Sequence, residues 1–146
     1  MQGNDKEHLM TTERISLDHG SGGKIAHRLT AELLLPLFAN PILSDLHDGA
    51  VLTLEGGQRV AFSTDTFTVT PLFFPGGDIG ELAVNGTVND VAMCGARPLF
   101  ISLALIIEEG FPMADLKRVL ESIRRSATQA GVAVVTDARL KSEKAV

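Results

Sequence analysis

The sequence predicts a layered α+β domain, or its α/β relative, with helices on one face of a mixed sheet. Three observations predict it. The element order reads helix, hairpin, helix, strand, helix, strand, without internal repeats or low-complexity tracts. The run Leu99 to Ile107, LFISLALII, is apolar on both faces, as in a strand covered on two sides. The stripe Leu116, Val119, Leu120, Ile123, Ala127 and Ala130 has the spacing of a helix laid on a sheet.

Met1 to Arg14 lacks periodicity and is expected to be a mobile, disordered tail (1–14). The glycine-rich segment ISLDHGSGGK follows. Ile25, Leu29, Leu33 and Leu37 then recur at helical spacing, with Pro36 and Pro41 expected to close the helix. Ala50 to Leu54 and Arg59 to Thr64 read as strands joined by a tight turn at Gly56-Gly57. Ile79 to Cys94 reads as a helix with Asp78 as N-cap, stopping before Gly95 and Pro98. Pro112 to Ala130 is a second long helix, with proline in its first turn and Gly131 at the C′ position. Val132 to Val135 reads as the last strand. Helices on one side leave the other side of an apolar sheet bare, and self-association as a homodimer is the expected cover.

Composition narrows the function. The 146 residues suit one domain with a core of its own, and 45% hydrophobic with 21% charged residues is ordinary for a soluble protein. A net charge of −5 gives no basic footprint, so no nucleic acid and no membrane surface is expected as partner. No apolar run approaches the roughly 20 residues of a spanning helix, and the polar N-terminus lacks the apolar stretch of a secretory signal. Cys94 is the single cysteine, which excludes an internal disulfide and a cysteine-based zinc cluster. The expected location is cytoplasmic. With neither Trp nor Tyr, base stacking falls to Phe or Arg, but a nucleotide can still be held by its phosphates.

Three constellations could carry chemistry. In Asp18-His19-Gly20-Ser21-Gly22-Gly23-Lys24, glycines let backbone N–H groups converge on an anion ahead of a helix, while Lys24 adds charge and Ser21 a hydroxyl. A simple glycine hinge would look the same, and the spacing fits neither the P-loop nor the dinucleotide fingerprint. Asp48 and Asp65 stand at strand ends, where carboxylates can hold Mg²⁺ against phosphate oxygens, with Thr64 and Thr66 offering hydroxyls. Each Asp alone reads as well as a turn residue bonding its own backbone. In ELAVNGTVNDVAMCGA, Asn85 and Asn89 share a helical face and Asp90 sits inside an apolar helix; such groups are costly to bury without partners. A solvated stripe is the alternative, but Gly86 and Gly95 suggest close approach of another backbone or ligand. Cys94, Met93 and Met113 read as core or cap fillers, His27 as surface, His47 as a loop residue, and Glu108-Glu109 as solvated.

Together, DHGSGGK, HDGAVL, RVAFSTDTFTVTPLFFPGGDIGELAVNGTVNDVAMCGARP and LALIIEEGFP resemble the N-terminal domain of the HypE family of hydrogenase maturation proteins, in the aminoimidazole-ribonucleotide-synthetase superfamily. The resemblance covers about Ile15 to Thr136. It implies a PurM N-terminal-like domain over 15–137, whose sheets pair into a barrel in a homodimer, and ATP and Mg²⁺ as cofactors. It implies His19, Gly20, Ser21, Gly22, Gly23, Lys24, Thr66, Asn85 and Asn89 on ATP and its phosphates, and Asp48, Asp65 and Asp90 on metal. The activity implied is carbamoyl dehydratase: ATP-dependent dehydration of an S-carboxamide on a C-terminal cysteine to a thiocyanate, the source of cyanide for NiFe-hydrogenase. Implied partners are a HypF-like carbamoyltransferase and a HypC–HypD-like complex.

Two departures stand out. Family members are about twice as long, and their reactive cysteine lies in a second domain absent from this chain, so no catalytic residue of that reaction is expected here and the chain is expected to bind ATP without completing it. Thr136-Asp137-Ala138-Arg139 stands where the family has Gly-Asp-Thr-Lys, leaving 138–146 as an atypical tail. A non-catalytic dimerisation or docking module for maturation partners is the alternative. A small-molecule kinase or synthetase of the superfamily is a third, disfavoured by the STDTFTVTPLFFPGG run.

Overall fold

The computed structural model describes residues 14–20, 22–135 and the backbone of 139–143. The expected N-terminal tail (Arg14 excepted), Ser21 and Asp137 therefore lie outside the described residues. The chain divides into two compact units, Met1–Leu46 and His47–Val146.

In the first unit, a 3-10 turn (Leu17–Gly20) precedes α1 (Lys24–Leu29), a π-helical turn (Thr30–Leu34) and α2 (Leu35–Phe38). Pro36 does not close this helix, contrary to expectation; the chain stays helical to Phe38. Proline has no N–H for the carbonyl four residues back, and its ring presses on that carbonyl. The wider π turn just before it accommodates both defects. After the helix, Asn40 Oδ1 accepts from the backbone N–H groups of Ile42 (3.0 Å) and Leu43 (2.9 Å), which starts a short 3-10 turn, Leu43–Asp45.

The second unit opens with the expected hairpin. β1 (Ala50–Thr53) pairs antiparallel with β2 (Arg59–Phe62), from Ala50 opposite Phe62 to Thr53 opposite Arg59. Gly56 and Gly57, with φ of 96° and 82°, supply the left-handed turn that other residues resist. A second hairpin was not foreseen. β3 (Phe73–Phe74) and β4 (Gly77–Asp78) close around Pro75-Gly76, where Gly76 has φ 93°. Proline followed by a left-handed glycine is the chemistry of a type II turn. α3 (Ile79–Met93) and α4 (Met113–Ala130) follow the sequence reading closely, and Gly131 caps α4 at φ 69°.

The sheet is mixed, as expected, but it is not one sheet. LFISLALII breaks at Ser102-Leu103 into β5 (Phe100–Ile101) and β6 (Ala104–Glu108). β5 pairs in parallel with β7 (Ala133–Val134), and β6 in parallel with β8 (Arg139–Glu143). With two antiparallel hairpins, this makes four two-stranded ladders among the described residues, with no closed barrel. Ser102 and Leu103 belong to neither ladder, so the run changes partner there instead of continuing one strand.

The core lies where α3 meets α4 over the inner side of the strands. Val84, Val119, Ile123, Ala127 and Val132 are buried, with Phe73, Ile79, Val88, Ile101 and Leu103 packed against them. The α4 stripe read in the sequence is buried or half-buried except at Leu120. Leu120 is exposed, while Ser122 and Ser126 are buried beside Val119 and Ile123. Small side chains there let the helices approach closely. A Cβ on Gly80 would stand 2.7 Å from the Val119 carbonyl oxygen, so only glycine fits. Met93 and Met113, expected as fillers, are instead 73% and 76% exposed.

Candidate functional site

Asp48, Asp65 and Asp90 come from three separate stretches of chain: the loop before β1, the segment after β2, and the last turns of α3. The fold draws them together. Ser63, just past β2, donates its hydroxyl to the Asp48 carbonyl oxygen at 2.9 Å and lies 3.3 Å from Asp90 Oδ2. Asp65, two residues on, feels both neighbours. Lost hydration, a hydrogen bond shared with the Asp90 carboxyl, and repulsion from Asp90 and then Asp48 push its carboxyl above the usual carboxylate range. Asp65 keeps much of its surface in water, so the neighbouring charges are the part a bound cation can relieve.

Two close contacts set this geometry. Residues 63–67 run past the flank of α3, with Ser63 beside Asp90 and the Phe67 ring against Gly86. A Cβ on Gly86 would stand 2.6 Å from Phe67 Cζ. The close approach read from Gly86 is therefore real, but it is made by this chain's own Phe67. Gly95, by contrast, has open space around it and a φ of 72°, so its role is to turn the chain after α3. At the other contact, a Cβ on Gly49 would stand 2.7 Å from Cys94 Sγ and 3.5 Å from the Asp90 carbonyl oxygen. Half-buried Cys94 thus packs beneath the HDG loop, in keeping with its reading as a small packing residue.

Thr66, Asn85 and Asn89 are exposed, the two amides on one face of α3. The α3 start is fixed by Asp78, whose Oδ1 accepts from the N–H groups of Gly80 (2.8 Å) and Glu81 (3.0 Å). Burial alone would raise the Asp78 carboxyl, but hydrogen bonds from Ser122, Glu81 and Gly80 and the charge of Arg125 outweigh it and hold it below the usual range. Ser63 was missed in the sequence; its place in STDT, beside an acidic strand end, was the available signal. Among the described residues no three acidic, His or Cys side chains form a ready-made metal cage. The three carboxylates also lie outside a concavity of about 730 Å³ lined by residues that include Val60, Phe62, Cys94, Arg97, Leu99 and Phe100.

The glycine-rich segment belongs to the other unit. His19 Nδ1 accepts from the Ser16 N–H (3.1 Å) and lies 2.9 Å from Ser16 Oγ, and Gly22 takes φ 74°. Gly23 forms the N-cap of α1 without any side-chain cap, and Gly20 and Lys24 flank the bend on the 3-10 turn and the helix.

Residues 46–138 match the family described as AIR synthase related protein, N-terminal domain. The chain belongs to that family. Within it, the chain resembles HypE proteins. It is 50% identical over 123 residues to carbamoyl dehydratase HypE of Cupriavidus necator, covering 84% of this chain and 35% of that protein. It is 49% identical over 126 residues to carbamoyl dehydratase HypE of Escherichia coli K12, covering 84% and 38%. The chain therefore spans little more than a third of these relatives. Among solved structures, it matches a HypE–HypF complex at TM-score 0.72 with 47% identity, over 80% of this chain and 36% of that one. It also matches HypE in complex with ATP at TM-score 0.55 with 50% identity, over 90% and 38%.

Proposed function

We propose that this chain is the ATP-binding portion of a HypE-type hydrogenase maturation protein, and that Asp48, Asp65 and Asp90 hold the Mg²⁺ that accompanies ATP. The approach of Asp65 to Asp90 and to the charge of Asp48, beside Ser63, carries this reading. The donor set fits: Mg²⁺ prefers hard oxygens, needs only one or two carboxylates, and completes its shell with water and phosphate. Lost hydration, the hydrogen bond with Asp90 and then the charges of Asp90 and Asp48 raise the Asp65 carboxyl, and a divalent cation would relieve the last of these. When bound, Mg²⁺ would neutralise charge on the transferring phosphate. The chain's own groups would position it, with Thr66, Asn85 and Asn89 offering hydrogen bonds to phosphate oxygens. His19, Gly20, Ser21, Gly22, Gly23 and Lys24 are assigned to the phosphates on the resemblance and on their glycine content.

The relatives' name and the ATP-bound HypE structure support the nucleotide, and the HypE–HypF complex supports a HypF-like partner. Dehydration of the S-carboxamide to a thiocyanate, and transfer of cyanide to a HypC–HypD-like complex, belong to the relatives' full length. Self-association through the apolar strand faces, with the sheets completing a barrel, is part of the same reading. Calorimetric titration with ATP tests it. Binding is expected with Mg²⁺ present and lost on chelation; no heat at millimolar ATP with Mg²⁺ would refute the nucleotide assignment.

A further inference from the structure

One polar side chain between the HDG loop and α3, Ser63, is none of the residues assigned to metal or phosphate above. Ser63 Oγ is 2.9 Å from the Asp48 carbonyl oxygen and 3.3 Å from Asp90 Oδ2. A serine hydroxyl has one proton to give, and two acceptors face it here. The Asp48 carbonyl is the nearer of the two, and the Asp90 carboxylate is within reach of the same hydroxyl. Asp90 is half-buried at this contact, whereas Asp48 sits on an exposed loop. The loop also packs through Gly49 over Cys94 and enters the β1–β2 ladder at Ala50, opposite Phe62. The Ser63 hydroxyl adds a polar tie between the two acidic stretches.

We propose that Ser63 is a positioning residue for the cation: its hydroxyl ties the HDG loop to α3 and so sets the spacing of Asp48 and Asp90. This rests on the Mg²⁺ assignment above and adds a residue to it. Ser63 touches neither metal nor nucleotide in this role; it acts through the two carboxylate-bearing segments.

The test is the Mg²⁺ requirement for ATP binding in wild type, Ser63→Ala and Ser63→Thr, read by calorimetry at fixed ATP with Mg²⁺ varied, alongside the thermal midpoint of the Mg²⁺-free chain. Loss of one hydrogen bond to a carbonyl corresponds to a several-fold change. In Ser63→Ala, half-saturating Mg²⁺ should therefore rise about 3- to 10-fold, and the Mg²⁺-free midpoint should fall by about 2–5 °C, because the bond is also made without the cation. Ser63→Thr keeps the hydroxyl and should restore binding to within about 2-fold of wild type. An alanine variant with wild-type Mg²⁺ dependence overturns the proposal and leaves the Mg²⁺–ATP site standing. So does an affinity loss that threonine does not restore. No Mg²⁺-dependent binding by the wild type overturns both.

Discussion

Asp65 is exposed, yet Asp90 and Asp48 crowd it. A surface carboxylate free to turn away would shed the repulsion of Asp90 and Asp48; this one follows directly on the strand end that also carries Ser63, and stays. Its raised carboxyl means that the folded chain holds the proton more tightly than the unfolded chain does. The stability it contributes is therefore present below the unfolded carboxylate value and is lost as pH rises through the folded value. At neutral pH ionised Asp65 is a cost. Asp65→Asn should raise the metal-free melting temperature by about 1–2 °C at pH 7, a small effect because solvent screens the pair. The gain should vanish as pH falls below the usual carboxylate range, while Mg²⁺-dependent ATP binding is lost at neutral pH. Melting curves across pH check the first part and titration the second; a variant less stable than wild type would contradict the account. Gly49 offers a second probe. Gly49→Ala forces a methyl onto Cys94 Sγ and should destabilise by about 1–3 kcal/mol. In a Cys94→Ala background most of that cost should disappear, which chemical denaturation of the two single variants and the double variant measures.

At the scale of elements, capping and turn chemistry were largely legible, and packing between elements was not. Asp78 was readable as an N-cap because a short acceptor before an apolar-periodic run satisfies free N–H groups. Its bond with Ser122, from a different helix, was not readable. Ser122 and Ser126 score as polar in any pattern of apolar spacing, so the stripe was drawn through Leu120; close approach at Gly80 makes small size matter more than apolarity. Pro36 was read as a stop because proline usually is one, and the π turn that absorbs it leaves no mark in the sequence. Asp78→Ala should cost about 1–3 kcal/mol through the lost cap and the stranded Ser122 hydroxyl. Because the Asp78 carboxyl is held low, its contribution is present above the unfolded carboxylate value and lost as pH falls through the folded one. The gap between wild type and variant should therefore narrow in acid. Asp78→Asn keeps the capping oxygen, loses the attraction to Arg125, and should fall between the two. Urea unfolding at neutral and acidic pH decides.

For the whole molecule, the sequence foresaw mixed strands, two long helices and an apolar face without internal cover. Among the described residues Phe62, Phe100 and Ile106, from three separate ladders, are 60%, 70% and 73% exposed, and Phe62 and Phe100 line one concavity. A continuous sheet was not found, because the break at Ser102-Leu103 depends on which strand each half meets, a long-range fact that local alternation does not encode. If the face is covered by a second copy, each exposed Phe is buried twice in a symmetric interface. Burial of one such side chain stabilises by roughly 1.5–3 kcal/mol, so Phe100→Asp should weaken the dimer at least about tenfold. Sedimentation equilibrium measures this, and an unchanged monomer in wild type would reject the dimer. The acidic cluster was legible residue by residue but not as a cluster, since separation in sequence hides proximity in space; Ser63 went unnoticed for the same reason.

The most direct test of the central claim is paramagnetic broadening by Mn²⁺ in the presence of ATP, read on the backbone amide resonances of the chain. Substoichiometric Mn²⁺ should erase residues 48–49, 63–66 and 89–91 together while leaving the outer turns of α4 sharp. Broadening confined to one of the three stretches, or spread over the surface without preference, would contradict a cation held jointly by Asp48, Asp65 and Asp90.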